Sequence, residues 1–147
     1  MEKIKEIYTK YKEVINYLIF GVLTTIVSIT VKYLLLFTIL NAENGIQLQI
    51  AVIISWIVAC TFAYVTNRIW VFESKSKQIF KEALKFYISR LTTLGLEMLL
   101  MFIFVTALKL NTDTWVVIWT LVTQVIVIIG NYILSKIIVF KNKEKEE

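Results

Sequence analysis

The chain has 147 residues, 58% of them hydrophobic and 18% charged, with four glycines and neither proline nor histidine. Its mean hydropathy is +0.72 and its formal charge +5. An ordinary soluble domain is excluded, because there apolar residues make up roughly half the chain and fall in short periodic stretches.

The chain opens with Ile4, Ile7, Tyr8, Tyr11 and Val14 recurring at three- and four-residue spacings, with lysines and glutamates between them. That pattern predicts an interfacial helix over 1–13. Four apolar runs follow, at 15–40, 47–72, 84–110 and 115–140, each longer than the roughly 20 residues needed to span a bilayer core. The first is too long for a signal-peptide core and meets no small-residue cleavage pattern, so it is expected to stay as a true span. The second carries the lone Cys60, which excludes an intrachain disulfide. Ile79, Phe80 and Leu84 repeat the interfacial pattern ahead of the third run.

Lys3, Lys5, Lys10 and Lys12 precede the first span, Lys75, Lys77 and Lys81 lie between the second and third, and Lys141, Lys143 and Lys145 follow the fourth. The other connectors hold Glu43, Asp113 and only Lys109 at a helix end. The positive-inside rule therefore puts both termini and the middle connector in the cytoplasm. These basic surfaces read as topology and attraction to anionic membrane lipids, not as nucleic-acid binding. The expected fold class is an all-α integral membrane protein, a single domain over 1–147 with four transmembrane helices, multi-pass in the cell membrane.

An internal repeat runs at a constant offset of 68 residues. Leu23-Thr24-Thr25 returns as Leu91-Thr92-Thr93, and the stretch from Tyr64 through Asn67, Arg68 and Trp70 to Phe72 returns from Tyr132 through Ser135, Lys136 and Ile138 to Phe140. Two spans per unit leave both copies in the same orientation. The repeats, 14–72 and 82–140, are thus expected to be parallel helical hairpins related by an axis along the membrane normal.

Charges within the spans are costly and invite explanation. Counting about 1.5 Å per residue from the cytoplasmic helix ends, Arg68 and Lys136 lie about 6 Å deep and Arg90 about 9 Å. Snorkelling to the headgroups is the simple reading for the first two. Arg90 lies further in and shares a helical face with Thr93 and Glu97. By the same count Glu97 lies about 20 Å deep and Lys32 about 24 Å. They are expected to face the interior and each other, either as a structural pair or as the border of a wet outer pathway continued by Gln124.

Gly21, Thr25, Ser28 and Lys32 share one face of the first helix, and Gln124, Asn131 and Ser135 one face of the fourth. Such small and polar stripes serve as interhelical glue or as ligands. Trp115 and Trp119 outside, with Trp70, Phe72 and Phe140 inside, fit interfacial aromatic belts.

Raw material for catalysis is missing. Without histidine, with one aspartate and one cysteine, the chain has no Ser-His-Asp or Cys-His set and no phosphate-binding Gly-rich loop. Zinc would find neither thiolates nor imidazoles. No enzyme activity, cofactor or metal is expected, and transport would be passive, gradient-driven or pulled by consumption of product.

Through the block Asn67-Arg68-Ile69-Trp70-Val71-Phe72, the early Arg90 and the second block over 131–140, the four spans resemble the GtrA-like membrane proteins of cell-surface polysaccharide glycosylation. The resemblance implies a small four-helix protein that moves a polyprenyl-phosphate-linked sugar to the outer leaflet. There a separate membrane glycosyltransferase would use it on teichoic acid, O-antigen or a similar glycan, another having loaded the lipid before flipping. Arg68, Arg90 and Lys136 would then hold the phosphate, and Asn67, Asn131, Gln124, Glu97 and Lys32 would line the pathway. Two alternatives stand beside this one, a small multidrug/proton antiporter using Glu97 and a non-transporting subunit of a glycosyltransferase complex. Four helices make a thin wall around a headgroup, so a homodimer is expected.

Overall fold

The computed structural model describes residues 2–41, 43–109 and 113–140. Among them all regular structure is helical: α1 (Glu2–Thr38), α2 (Gly45–Thr66), α3 (Ile79–Met101) and α4 (Asp113–Leu134). The last three run on into π-helical turns, at Asn67–Val71, Phe102–Ala107 and Ser135–Val139 respectively. Four segments are long and apolar enough to cross a membrane: Tyr8–Thr38, Gly45–Val71, Ile79–Phe104 and Ile118–Val139. The all-α, four-span architecture expected from hydropathy is the one observed. The tail lysines and Leu110, with the side chains of Lys3, Ile4, Lys5 and Ile7, lie outside the described residues.

The head and first span are two helical segments that follow one another without a connector, since no proline or glycine lies between them before Gly21. The boundary between them shows as a kink at Tyr11, where φ is −115° and ψ 18°. At the start of α2, Asn44 adopts extended backbone and its side chain accepts from the amides of Ile46 and Gln47. Such a cap satisfies donors that the first turn leaves unpaired and contributes about 1 kcal/mol. α3 begins at Ile79, five residues before the apolar run does, so the amphipathic lead-in is part of the same helix. Glu82 in its first turn is buried, at the end of the helix where the dipole favours an acidic side chain.

The chain divides into two compact units, residues 1–74 and 75–147. In the first, α1 packs antiparallel on α2 and its π turn; in the second, α3 packs likewise on α4 and the final π turn. The packed face of α2 is a stripe of small residues, Ala51, Ser55, Ala59 and Ala63, each buried and one turn apart. Small side chains let two backbones approach closely where lipid gives helices no hydrophobic reason to associate. The large apolar side chains point the other way: Val22, Leu34, Phe37, Ile53 and Leu121 are all exposed, as a lipid-facing surface requires.

Each unit closes alike. The Phe72 amide donates to the Asn67 carbonyl at 2.8 Å, and the Phe140 amide to the Ser135 carbonyl at 2.9 Å. These five-residue steps rotate both phenylalanines inward, where each is 4% exposed. Phe72 packs on Tyr17 with ring centroids 6.5 Å apart, and Phe140 on Phe86 at 6.2 Å. Phe72 and Phe140 are therefore core plugs, not members of the interfacial belt suggested by their place near the span ends. Trp70 stays half-exposed and stacks on Phe20 at 5.4 Å.

Candidate functional site

In the first unit the π turn sets the site. Arg68 is half-buried, and its Nη1 donates to the Tyr64 hydroxyl at 3.4 Å. Asn67, beside it, is 3% exposed, and its Oδ1 meets no hydrogen-bond donor among the described residues. The chain leaves the turn through Glu73 in left-handed backbone (φ 46°), with the Ser74 amide donating to the Arg68 carbonyl at 2.8 Å. Two contacts bind this exit to α1: Lys12 pairs with the Glu73 carboxylate at 3.0 Å, and Asn16 Nδ2 donates to the Trp70 carbonyl at 3.2 Å. Both hold this turn against the start of the first span.

Lys32, at the far end of α1, is half-buried with its ammonium 5.1 Å above the Tyr33 ring. The stripe leading to it is not packed inside the hairpin. Gly21 and Thr25 are exposed, and the Thr25 hydroxyl donates to its own helix at the Gly21 carbonyl, 3.2 Å away.

In the second unit Arg90 is half-buried and its guanidinium lies 4.9 Å over the ring of Phe86, which is 0% exposed. Because α3 starts at Ile79, Arg90 stands about 16 Å along the helix. Lys136 Nζ donates to the Tyr132 hydroxyl at 3.2 Å, with that ring's centroid 5.5 Å from the ammonium. The face that joins Thr93 and Glu97 meets α4. Thr93 Oγ1 donates to Asn131 Oδ1 at 2.7 Å, and Gln124 Nε2 donates to the Glu97 carboxylate at 2.6 Å.

The expected site residues are thus divided. Glu97 and Gln124 are brought together, and Asn131 is joined to Thr93. Arg68, Asn67 and Lys32 belong to the first unit, Arg90, Lys136 and the polar ladder to the second. At the 68-residue offset the ladder's counterparts are Thr25, Ile29, Trp56 and Ala63, so the first hairpin lacks the side chains to repeat it.

Sequence reasoning passed over Tyr64 and Tyr132, though each stands four residues before a span-end cation inside the repeated block, a spacing that stacks side chains on one face. It also passed over buried Glu82, for which no sequence signal exists, and placed Trp119 only in the outer aromatic belt. That ring stacks on Phe104 at 3.7 Å, which makes it more than an interfacial anchor. Among the described residues no group of three or more His, Cys, Asp or Glu side chains could hold a metal ion.

The pattern of the GtrA/DPMS transmembrane domain matches residues 16–140, and so takes in every site residue expected from the sequence. The chain belongs to this family. With four spans and the GtrA/DPMS transmembrane domain, it is a multi-pass membrane protein. The cell wall teichoic acid glycosylation protein GtcA of Listeria monocytogenes serovar 1/2a is 33% identical over 147 residues, covering 98% of this chain and 95% of that protein. The protein of the same name from Listeria innocua serovar 6a is 36% identical over 131 residues, 87% of this chain and 84% of its own length. The membrane protein YwcD of Bacillus subtilis (strain 168) is 34% identical over 134 residues, 89% of this chain and 98% of YwcD. No solved structure matches.

Proposed function

We propose that this GtrA/DPMS protein acts in glycosylation of a cell-surface polymer such as teichoic acid, by moving a polyprenyl-phosphate-linked sugar across the cytoplasmic membrane. The observation that carries the reading is a span-end cation in the π turn of each hairpin, held by a tyrosine hydroxyl one turn earlier. The names of the Listeria relatives supply the pathway.

The phosphate of such a lipid bears negative charge at the level of the headgroups. Arg68, Arg90 and Lys136 supply the compensating cations, and a guanidinium grips phosphate through two parallel hydrogen bonds. Tyr64 and Tyr132 fix two of these side chains so that less rotamer freedom is lost on binding. Asn67, Asn131, Gln124, Glu97 and Lys32 give the sugar and phosphate a polar passage. Membrane glycosyltransferases load the lipid on one side and consume it on the other.

The deciding experiment is reconstitution of the purified protein alone in vesicles with a labelled polyprenyl-phosphate-linked sugar. Movement to the outer leaflet supports translocation. Movement only when a glycosyltransferase is added favours a supporting subunit, and proton-coupled export of cationic drugs instead favours an antiporter.

Two further outcomes are expected. In a Cys60→Ala background, Lys3→Cys, Lys77→Cys and Lys145→Cys should react with impermeant thiol reagents only from the cytoplasm, and Glu43→Cys only from outside. Glu43 is chosen over its neighbour because Asn44 caps α2. Labelling of Lys77→Cys from outside would overturn the orientation. Separately, Arg68→Lys should slow translocation about fivefold, the equivalent of about 1 kcal/mol, because an ammonium cannot form the bidentate grip. Lys136→Arg should transport normally, and wild-type rates for Arg68→Lys would return Arg68 to headgroup anchoring.

A further inference from the structure

The proposed passage holds three side-chain amides, and the structure separates them. Gln124 donates to Glu97 and Asn131 accepts from Thr93, so both are engaged in joining α3 to α4. Asn67 is different: it is 3% exposed and its Oδ1 has no donor among the described residues. A buried amide oxygen left without a donor is unfavourable, and such groups are rare unless a ligand or water completes them. Its place in the chain points to a ligand. Asn67 opens the π turn, a distortion that recurs at functional sites, and its carbonyl takes the five-residue bond from Phe72. The next residue is Arg68, the guanidinium assigned to the phosphate.

We infer that Asn67 Oδ1 accepts a hydrogen bond from the sugar of the lipid substrate, from a hydroxyl or an acetamido N–H, while Arg68 holds the phosphate beside it. The inference rests on the translocation reading and deepens it. Arg68 supplies affinity common to any polyprenyl phosphate, and Asn67 separates the sugar-loaded lipid from the bare one. The second hairpin has the shorter Ser135 at the corresponding position, so discrimination belongs to the first. A site built to hydrogen-bond a substrate group rejects ligands lacking it, because its own polar atom is then left buried and unpaired.

The test is thermal unfolding and ligand titration of the purified full chain with three probes: bare polyprenyl phosphate, polyprenyl-phosphate-linked glucose and polyprenyl-phosphate-linked N-acetylglucosamine. The wild type is expected to be stabilised by the bare lipid and further by at least one sugar-loaded lipid. Asn67→Leu, which nearly conserves the volume of this buried side chain, should unfold at no lower temperature than wild type because Oδ1 meets no donor in the fold, whereas Asn67→Ala should fold with only the loss of its packing. They should keep the response to bare lipid and lose the additional one, with affinity for the sugar-loaded lipid falling about tenfold.

Retention of the additional response in either variant overturns the inference. A lowered unfolding temperature in the volume-conserving Asn67→Leu, or failure of both to fold, also overturns it, since Oδ1 would then be bonded within the fold. A wild type that responds equally to bare and loaded lipids removes the inference and leaves the phosphate reading standing. No response to any of the three lipids removes the phosphate reading as well.

Discussion

Arg90→Ala is expected to abolish glycan decoration of the cell surface while the protein stays at normal abundance in the membrane. The fold gives little reason for it to fail. Arg90 contributes a cation–π contact over Phe86, worth about 0.5–1 kcal/mol where water competes, and Phe86 remains packed on Phe140 without it. The loss at the substrate is larger. A hydrogen bond to a charged group contributes about 1.5–3 kcal/mol, and removing a guanidinium from a phosphate removes two, so translocation should fall by about two orders of magnitude. Arg90→Lys should recover part of the activity through charge alone. Surface glycan and membrane abundance measured on the same cells check this. Normal decoration by Arg90→Ala would reduce Arg90 to a packing partner of Phe86, and disappearance of the protein would make it structural.

The helices were legible in the sequence because a bilayer demands long apolar runs and little else in this chain satisfies that demand. Their ends were not. Hydropathy marks where a segment becomes apolar, whereas helices continue until a breaker or a cap stops them; hence α3 extends back to Ile79, while the head helix expected over 1–13 begins at Glu2 and meets the span at the Tyr11 kink. The π turns left no mark, since a single inserted residue in the hydrogen-bond ladder changes neither composition nor hydropathy. That one omission misplaced Phe72 and Phe140, because their inward rotation follows from the five-residue step and not from their chemistry. The face shared by Arg90, Thr93 and Glu97 was legible from helical spacing, and so was the one with Gln124 and Asn131. Which residue would meet which depended on helix register, fixed by packing that periodicity does not encode. The Gly21 and Thr25 stripe was legible as a polar face but not as an unpacked one, because a hydroxyl on a membrane helix can be satisfied by its own backbone.

Lys32 and Glu97 distinguish structural pairing from transport, and the expected outcome is a double mutant that is well folded and inactive. Each has a partner within its own unit, Tyr33 for Lys32 and Gln124 for Glu97. In Glu97→Gln the new side chain still offers an oxygen to Gln124 Nε2, so the bond between α3 and α4 survives. Interhelical hydrogen bonds in membranes are worth about 0.6 kcal/mol on average, and weakening one costs little. In Lys32→Met the loss is a contact over an exposed tyrosine ring, about 0.5–1 kcal/mol. Both single variants should therefore stay within about 1 kcal/mol of wild type, with the double close to their sum. A directly paired, buried Lys32 and Glu97 would behave otherwise. Each single variant would then lose about 3–5 kcal/mol and the double would recover much of it. Activity separates the cases a second time. A phosphate that leaves the shallow cations needs another cation in the outer half of its path, and the sugar hydroxyls need a strong acceptor, roles that methionine and a neutral amide fill poorly. Unfolding temperature and vesicle translocation measured on all three variants give the answer, and a stable, fully active double mutant would remove both residues from the pathway.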